Sequence, residues 1–193
     1  MQRLSITPRV DWEEKIKQQG FIYYNEYYKE DSCYVFSKDE VNNLEKATTE
    51  IFDMSCKVME HLIANPDLLV NFKIPSKFIP LIVKSWKQDD IALYGRFDLA
   101  FNGRDIKVLE FNADTPTSLL EGSVIQWYWL QEFNTSKDQF NSIHEKFVEH
   151  IKNCKEYLDK KVFLASIKDS TEDFMTTKYI EDCFIQAGCK TEF

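Results

Sequence analysis

The chain has 193 residues, a net charge of −8, 44% hydrophobic and 15% aromatic residues, and only five glycines and five prolines. That balance excludes collagen, low-complexity disorder and a disulfide-dense miniprotein, and the length is enough to bury a core. A net acidic chain lacks the clustered Lys and Arg of nonspecific nucleic-acid binding, so no nucleic-acid partner is expected.

Asp11-Trp-Glu-Glu14 reads as a helix start with Asp11 as N-cap and Gly20 as its stop. Phe21 to Tyr28 is aromatic-rich and reads as extended, followed by a short strand at Tyr34-Val-Phe36. Ser37-Lys-Asp-Glu40 is a capping box, and apolar residues behind it at helical spacing predict a helix over 38–64, closed by Asn65-Pro66. Short helices follow at Asp67–Phe72 and Lys77–Trp86, with Pro80 in a first turn. The period then changes to two. Leu93–Phe101 and Ile106–Asn112 alternate around Asn102-Gly103, a hairpin signal. Helical spacing returns over Thr117–Phe133 and Asp138–Leu158. The end reads strand (162–165), helix (172–187), strand (190–193), a βαβ unit. The fold class expected is therefore α+β: a helical N-terminal layer, a hairpin-centred site and an incomplete βαβ unit. The chain is taken as one region, 1–193, with a sub-boundary near 136–161.

The N-terminus has no apolar signal core, and Phe78-Ile-Pro-Leu-Ile-Val83 is about the longest apolar run, too short to span a bilayer. Five cysteines at irregular spacing read as reduced thiols. Together these predict a cytoplasmic protein with no membrane partner.

Side chains alternate along a strand, so Arg96 and Asp98 share one face of the first hairpin strand, and Glu110 and Asn112 one face of the second. A two-residue turn would set these faces opposite each other; a turn of three or five residues would merge them. The reading adopted is an odd-length turn, because it gathers all four residues. Two carboxylates and an amide oxygen then form a hard donor set suited to Mg²⁺, with Arg96 beside it able to hold a phosphate or carboxylate. Thr115 fits an N-cap with Pro116 at the first helical position, so Thr117 and Ser118 would lie in the first turn of an anion-attracting helix tip. The plainer alternative is a salt-bridged hairpin face followed by an ordinary capped helix. The three histidines read as solvated or capping, Trp127-Tyr-Trp129 as core packing, and the tyrosines at 23, 24, 27 and 28 as buried against the long helix.

Tyr94-Gly-Arg-Phe-Asp-Leu-Ala-Phe101, then Leu109-Glu-Phe-Asn-Ala-Asp-Thr-Pro-Thr-Ser-Leu-Leu-Glu121, then Gln126-Trp-Tyr-Trp129 resemble the glutathionylspermidine synthase family, ATP-grasp carboxylate–amine ligases. Gln2-Arg3, Pro8-Arg9, Trp12-Glu-Glu-Lys15 and Gly20-Phe21 match the same family, with weaker support from Ile74-Pro75 and Ser85-Trp86. The resemblance covers essentially the whole chain and implies the pre-ATP-grasp part of such a fold. It implies a cytoplasmic enzyme that uses ATP and Mg²⁺ to activate a carboxylate as an acyl phosphate, which an amine then attacks. The acid would be peptide-like and the amine a polyamine, glutathione and spermidine being the family's pair. By position, Arg96 resembles the catalytic arginine that touches acyl-phosphate oxygens and nucleotide. Asp98, Glu110 and Asn112 resemble the metal ligands, Glu110 bridging two metals and Asp98 also facing the nucleotide. Thr115, Thr117 and Glu172 resemble substrate contacts. The family's synthetases are considerably longer, their nucleotide is clasped by later segments, and nothing here resembles a glycine-rich phosphate loop. The expectation is an incomplete C-terminus and little or no turnover by these residues alone, with a partner chain able to carry the ATP-grasp half. The rival expectation is a noncatalytic binding or regulatory module, or an inactive remnant.

Overall fold

The computed structural model describes residues 1–114, 116–154 and 161–193. The architecture is α+β, as the sequence implied: helices dominate and, among the described residues, six short strands pair into three two-stranded sheets. The chain divides into two compact units, one built from 1–36, 93–98 and 110–193, the other from 37–92 and 99–109.

The first unit opens with β1 (Gln2–Ser5), which pairs antiparallel with β2 (Ser32–Val35). Only β2 was legible in the sequence. α1 (Trp12–Gln18) lies between them. Asp11 sits at its N-cap position, but with left-handed backbone and no capping side-chain bond, contrary to the expected cap. The stop is as expected. Gly20 takes φ +90°, its N–H bonds to the Lys17 carbonyl, and the Phe21 N–H bonds back to Ile16. This Schellman closure turns Ile16 and Phe21 together into the core, both fully buried. A seven-residue helix is too short to stand alone in water. Burial of these two side chains, worth about 1.5–3 kcal/mol each, is what holds it. Phe21–Tyr28 is not extended: Tyr24–Glu26 forms a 3₁₀ turn. Tyr23 and Tyr24 enter the first unit's own core, where Trp12 and Phe21 meet them edge-on at 5.6 and 4.8 Å.

The predicted helix at 117–133 starts later than expected, at Leu119. Pro116 and Thr117 precede it and Ser118 has φ +66°, so neither Thr117 nor Ser118 lies in a first helical turn. The expected N-cap, Thr115, lies outside the described residues. The helix then widens to a π-helical segment at Glu121–Ile125 before continuing as α4 (Gln126–Phe133). α5 (Ile143–Asn153) is shorter than the spacing suggested; Asn141 bonds the Gly122 carbonyl and accepts from the Ile143 N–H, holding 138–142 outside the helix. The predicted end of that helix, like part of the predicted sub-boundary, falls at 155–160, outside the described residues. The βαβ unit is present: β5 (Lys161–Phe163), α6 (Thr171–Gln186) and β6 (Lys190–Glu192), with the two strands parallel. Ile125, Ile151 and Cys183 complete the buried centre.

In the second unit, α2 (Lys38–Ala64) begins at the Ser37/Glu40 capping box and ends at Asn65 as predicted. Pro66–Phe72 is 3₁₀-helical, and α3 (Ile79–Gln88) carries Pro80 in its first turn. The hairpin strands are β3 (Arg96–Phe101) and β4 (Ile106–Asn112), of which 99–109 belong to this unit and the remainder to the first. Their connection, 102–105, is four residues rather than an odd number. Asn102 Oδ1 accepts from the N–H groups of both Arg104 and Asp105, an Asx turn that takes both flanking residues out of the ladder. Among the described residues no helix is long and apolar enough to cross a membrane.

Candidate functional site

The base of the hairpin, in the first unit, settles the question of faces. Phe97 stacks on Phe111 with ring centroids 4.2 Å apart. A Cβ at Gly95 would come within 2.8 Å of the Phe111 ring, so the ring lies directly over this glycine. Gly95, Phe97 and Phe111 therefore share one face, and alternation places Arg96, Asp98, Glu110 and Asn112 on the other. The odd-length turn expected to bring the two faces together is not the one found, the connection being four residues long.

On that polar face Arg96 forms a forked ion pair with Asp98, Nε to Oδ1 at 2.8 Å and Nη2 to Oδ2 at 3.1 Å. Its Nη1 donates to the Thr117 carbonyl and to Thr117 Oγ1, each at 3.2 Å. The hydrogen bond to Asp98 raises the guanidinium pKa most, desolvation opposes it, and the charges of Asp98, Glu110 and Glu172 add to it. Thus Thr117, distant in sequence, is brought to the strand residues, and the charge of Glu172, in the first turn of α6, is felt by Arg96. The Arg96 and Asp98 side chains remain 31% and 37% exposed, so the face stays open to solvent. The Tyr94 hydroxyl bonds the Pro116 carbonyl, a second tie between β3 and the approach to the helix.

A second polar cluster in the first unit was missed by sequence reasoning. The hydroxyls of Tyr23 and Tyr27 both donate to Glu121 Oε1, at the start of the π-helical segment, while Glu121 Oε2 is buried without a partner. Burial first, and then Glu121, pushes both phenol pKa values up. The signal available was Glu121 itself, a carboxylate directly after two leucines that are nearly fully buried. Trp127 and Tyr128 do not pack in the core as expected; both are nearly half exposed and line a cleft of about 700 Å³ with His144 and Tyr179. Their neighbours Ile125 and Leu130 take the buried side of the helix instead.

Among the described residues no group of three or more His, Cys, Asp or Glu is placed so that it could hold a metal ion. What the hairpin presents is two carboxylates and one amide oxygen on an open face. That donor chemistry fits Mg²⁺, which keeps several waters and takes few protein ligands, better than a metal that demands a full protein cage.

The model of the family described as glutathionylspermidine synthase preATP-grasp matches residues 3–193. A protein of Haemophilus influenzae named "Putative acid--amine ligase" is 34% identical over 97% of this chain and 51% of its own length. Trypanothione synthetase of Crithidia fasciculata is 33% identical over 47% of the chain and 14% of its own. The bifunctional glutathionylspermidine synthetase/amidase of Escherichia coli is 24% identical over 82% of the chain and 26% of its own. The chain thus spans about half the length of the Haemophilus protein and about a quarter of the Escherichia one. With the family match running from the third residue to the last over this hairpin and its flanking helices, the chain belongs to the glutathionylspermidine synthase family, in its pre-ATP-grasp region.

Proposed function

We propose that this chain supplies the metal and acyl-phosphate side of an ATP- and Mg²⁺-dependent acid–amine ligase. The observation that supports the reading is the forked Arg96–Asp98 pair on the strand face that alternation shares with Glu110 and Asn112, with Thr117 bonded to the same arginine.

In this reading Asp98, Glu110 and Asn112 hold Mg²⁺, which supplies charge neutralisation at the phosphoryl oxygens. Arg96 binds the oxygens of the activated carboxylate through its planar fork and stabilises the charge that develops there. Thr117 and Thr115 position the acid, a peptide-like carboxylate. Glu172 attracts the incoming amine, a cation of polyamine type. Most of the nucleotide clasp would come from segments outside this chain or from a partner chain, and the setting would be cytoplasmic.

Calorimetric titration of Mg²⁺ into the wild-type chain and the Glu110→Ala variant tests the site. Wild type is expected to bind weakly but measurably, and the variant about tenfold more weakly or not at all. Equal binding in the two removes Glu110 from the site.

A further inference from the structure

Resting on that reading, the geometry of Arg96 carries one step more. A guanidinium has five N–H donors. Here four hydrogen bonds are committed: two to the Asp98 carboxylate and two to Thr117. The arginine therefore presents no second fork to an anion, and Asp98 has both oxygens turned to the arginine rather than to a cation. Each Asp98 oxygen keeps a further lone pair, so a cation that approaches the pair competes with Arg96 for the carboxylate's charge.

We propose that the Arg96–Asp98 pair is a latch that couples the two ligands: a divalent cation that takes Asp98 releases Arg96 to an oxyanion, and an oxyanion that takes Arg96 releases Asp98 to the cation. Coupling of this kind is reciprocal, each ligand tightening the other by the same factor. The pair can open because both side chains are about one-third exposed, where an ion pair is weakened by water and salt. Release of Arg96 also frees the Thr117 carbonyl and hydroxyl. The stretch just before the helix, with Ser118 held at φ +66°, would then be free to adjust around the acid substrate. The latch predicts that neither Mg²⁺ nor an oxyanion binds well alone, and that the acid's activated oxygens find their arginine only once the cation is in place.

The test measures inorganic phosphate binding to the whole chain by calorimetry, with and without Mg²⁺, for wild type, Asp98→Asn and Glu110→Gln. The two variants each remove one negative charge from the same face, but only Asp98 holds Arg96. Without Mg²⁺, Asp98→Asn is expected to bind phosphate about tenfold more tightly than wild type, the worth of a released charge-assisted bond. Glu110→Gln should gain less than about threefold, the share expected of the field alone. In parallel, the Arg96 Nε–H resonance, identified by its loss in Arg96→Lys, should shift as Mg²⁺ is added to wild type, and the shift should saturate with the calorimetric binding. Equal gains in the two variants, or an Arg96 signal unmoved while Mg²⁺ binds, overturn the latch and leave the metal site standing. A wild-type chain that binds no Mg²⁺ overturns both.

Discussion

Among the described residues Glu30 is the most deeply buried charge in the first unit, 4% exposed, and its cation partner comes from 21 residues away. Arg9 Nε lies 2.6 Å from its Oε1, Nη2 reaches Oε2, and the Tyr28 hydroxyl donates to the same carboxylate. Arg9 in turn touches Glu132 on α4, which also holds Lys15 of α1. Removing one partner of a buried pair leaves the other uncompensated, which typically costs about 3–5 kcal/mol. Glu30→Ala is therefore expected to lower the denaturant midpoint by that much free energy at unchanged slope; a loss under about 1 kcal/mol would show that water already screens the pair. At this scale the sequence showed the polar strand face, because alternation is local. It did not show that Arg96 would spend its donors on Asp98 and Thr117, or that two tyrosines would share one oxygen of Glu121. Those choices are made by neighbours that only the tertiary fold brings together.

Elements whose ends are written in adjacent residues were read well. α2 starts and stops where Ser37, Glu40 and Asn65-Pro66 say it should, and the capping box has both of its bonds. Ser37→Ala removes the bond to the Glu40 N–H and should cost about 1 kcal/mol, seen as a lower melting temperature with fraying confined to the first turn of α2 in hydrogen exchange. Protection unchanged at residues 38–41 would contradict this. β1 was missed because Gln2–Ser5 is exposed throughout and becomes a strand only by pairing with Ser32–Val35. The helix after Pro116 was started too early for a related reason. Tyr94 and Arg96 claim the carbonyls of Pro116 and Thr117, and that tertiary bonding overrides a good local start signal.

Across the whole molecule the titratable burial is one-sided. Tyr28, Tyr94 and Tyr179 are, like Tyr23 and Tyr27, pushed above the ordinary 10.0 chiefly by burial, Tyr94 to about 12. Burial likewise lifts the Cys183 thiol from 9.0 to about 11. All belong to the first unit, and no tyrosine falls within the second. Each of these groups is an acid with a raised folded-state pKa, so unfolded chains lose protons first as pH rises. Their stabilisation is whole below about pH 9 and falls steadily from there through pH 12. Thermal melts followed by tyrosine absorbance should show the first unit weakening between pH 9 and 11; melting temperatures flat over that window would mean that the phenols are already wet.

The widened turn at Glu121–Ile125 has a consequence for how relatives of this chain are aligned. A π-helical segment holds one residue more than the α-helical path it replaces. Deleting a single residue there would let the segment close as an ordinary α-helical turn, with the later side chains keeping their places around the axis. Trp127 and Tyr128 would stay on the cleft wall and Leu130 in the core. A one-residue gap at this point in a homologue is therefore a change confined to the widened turn, with the lining beyond it kept.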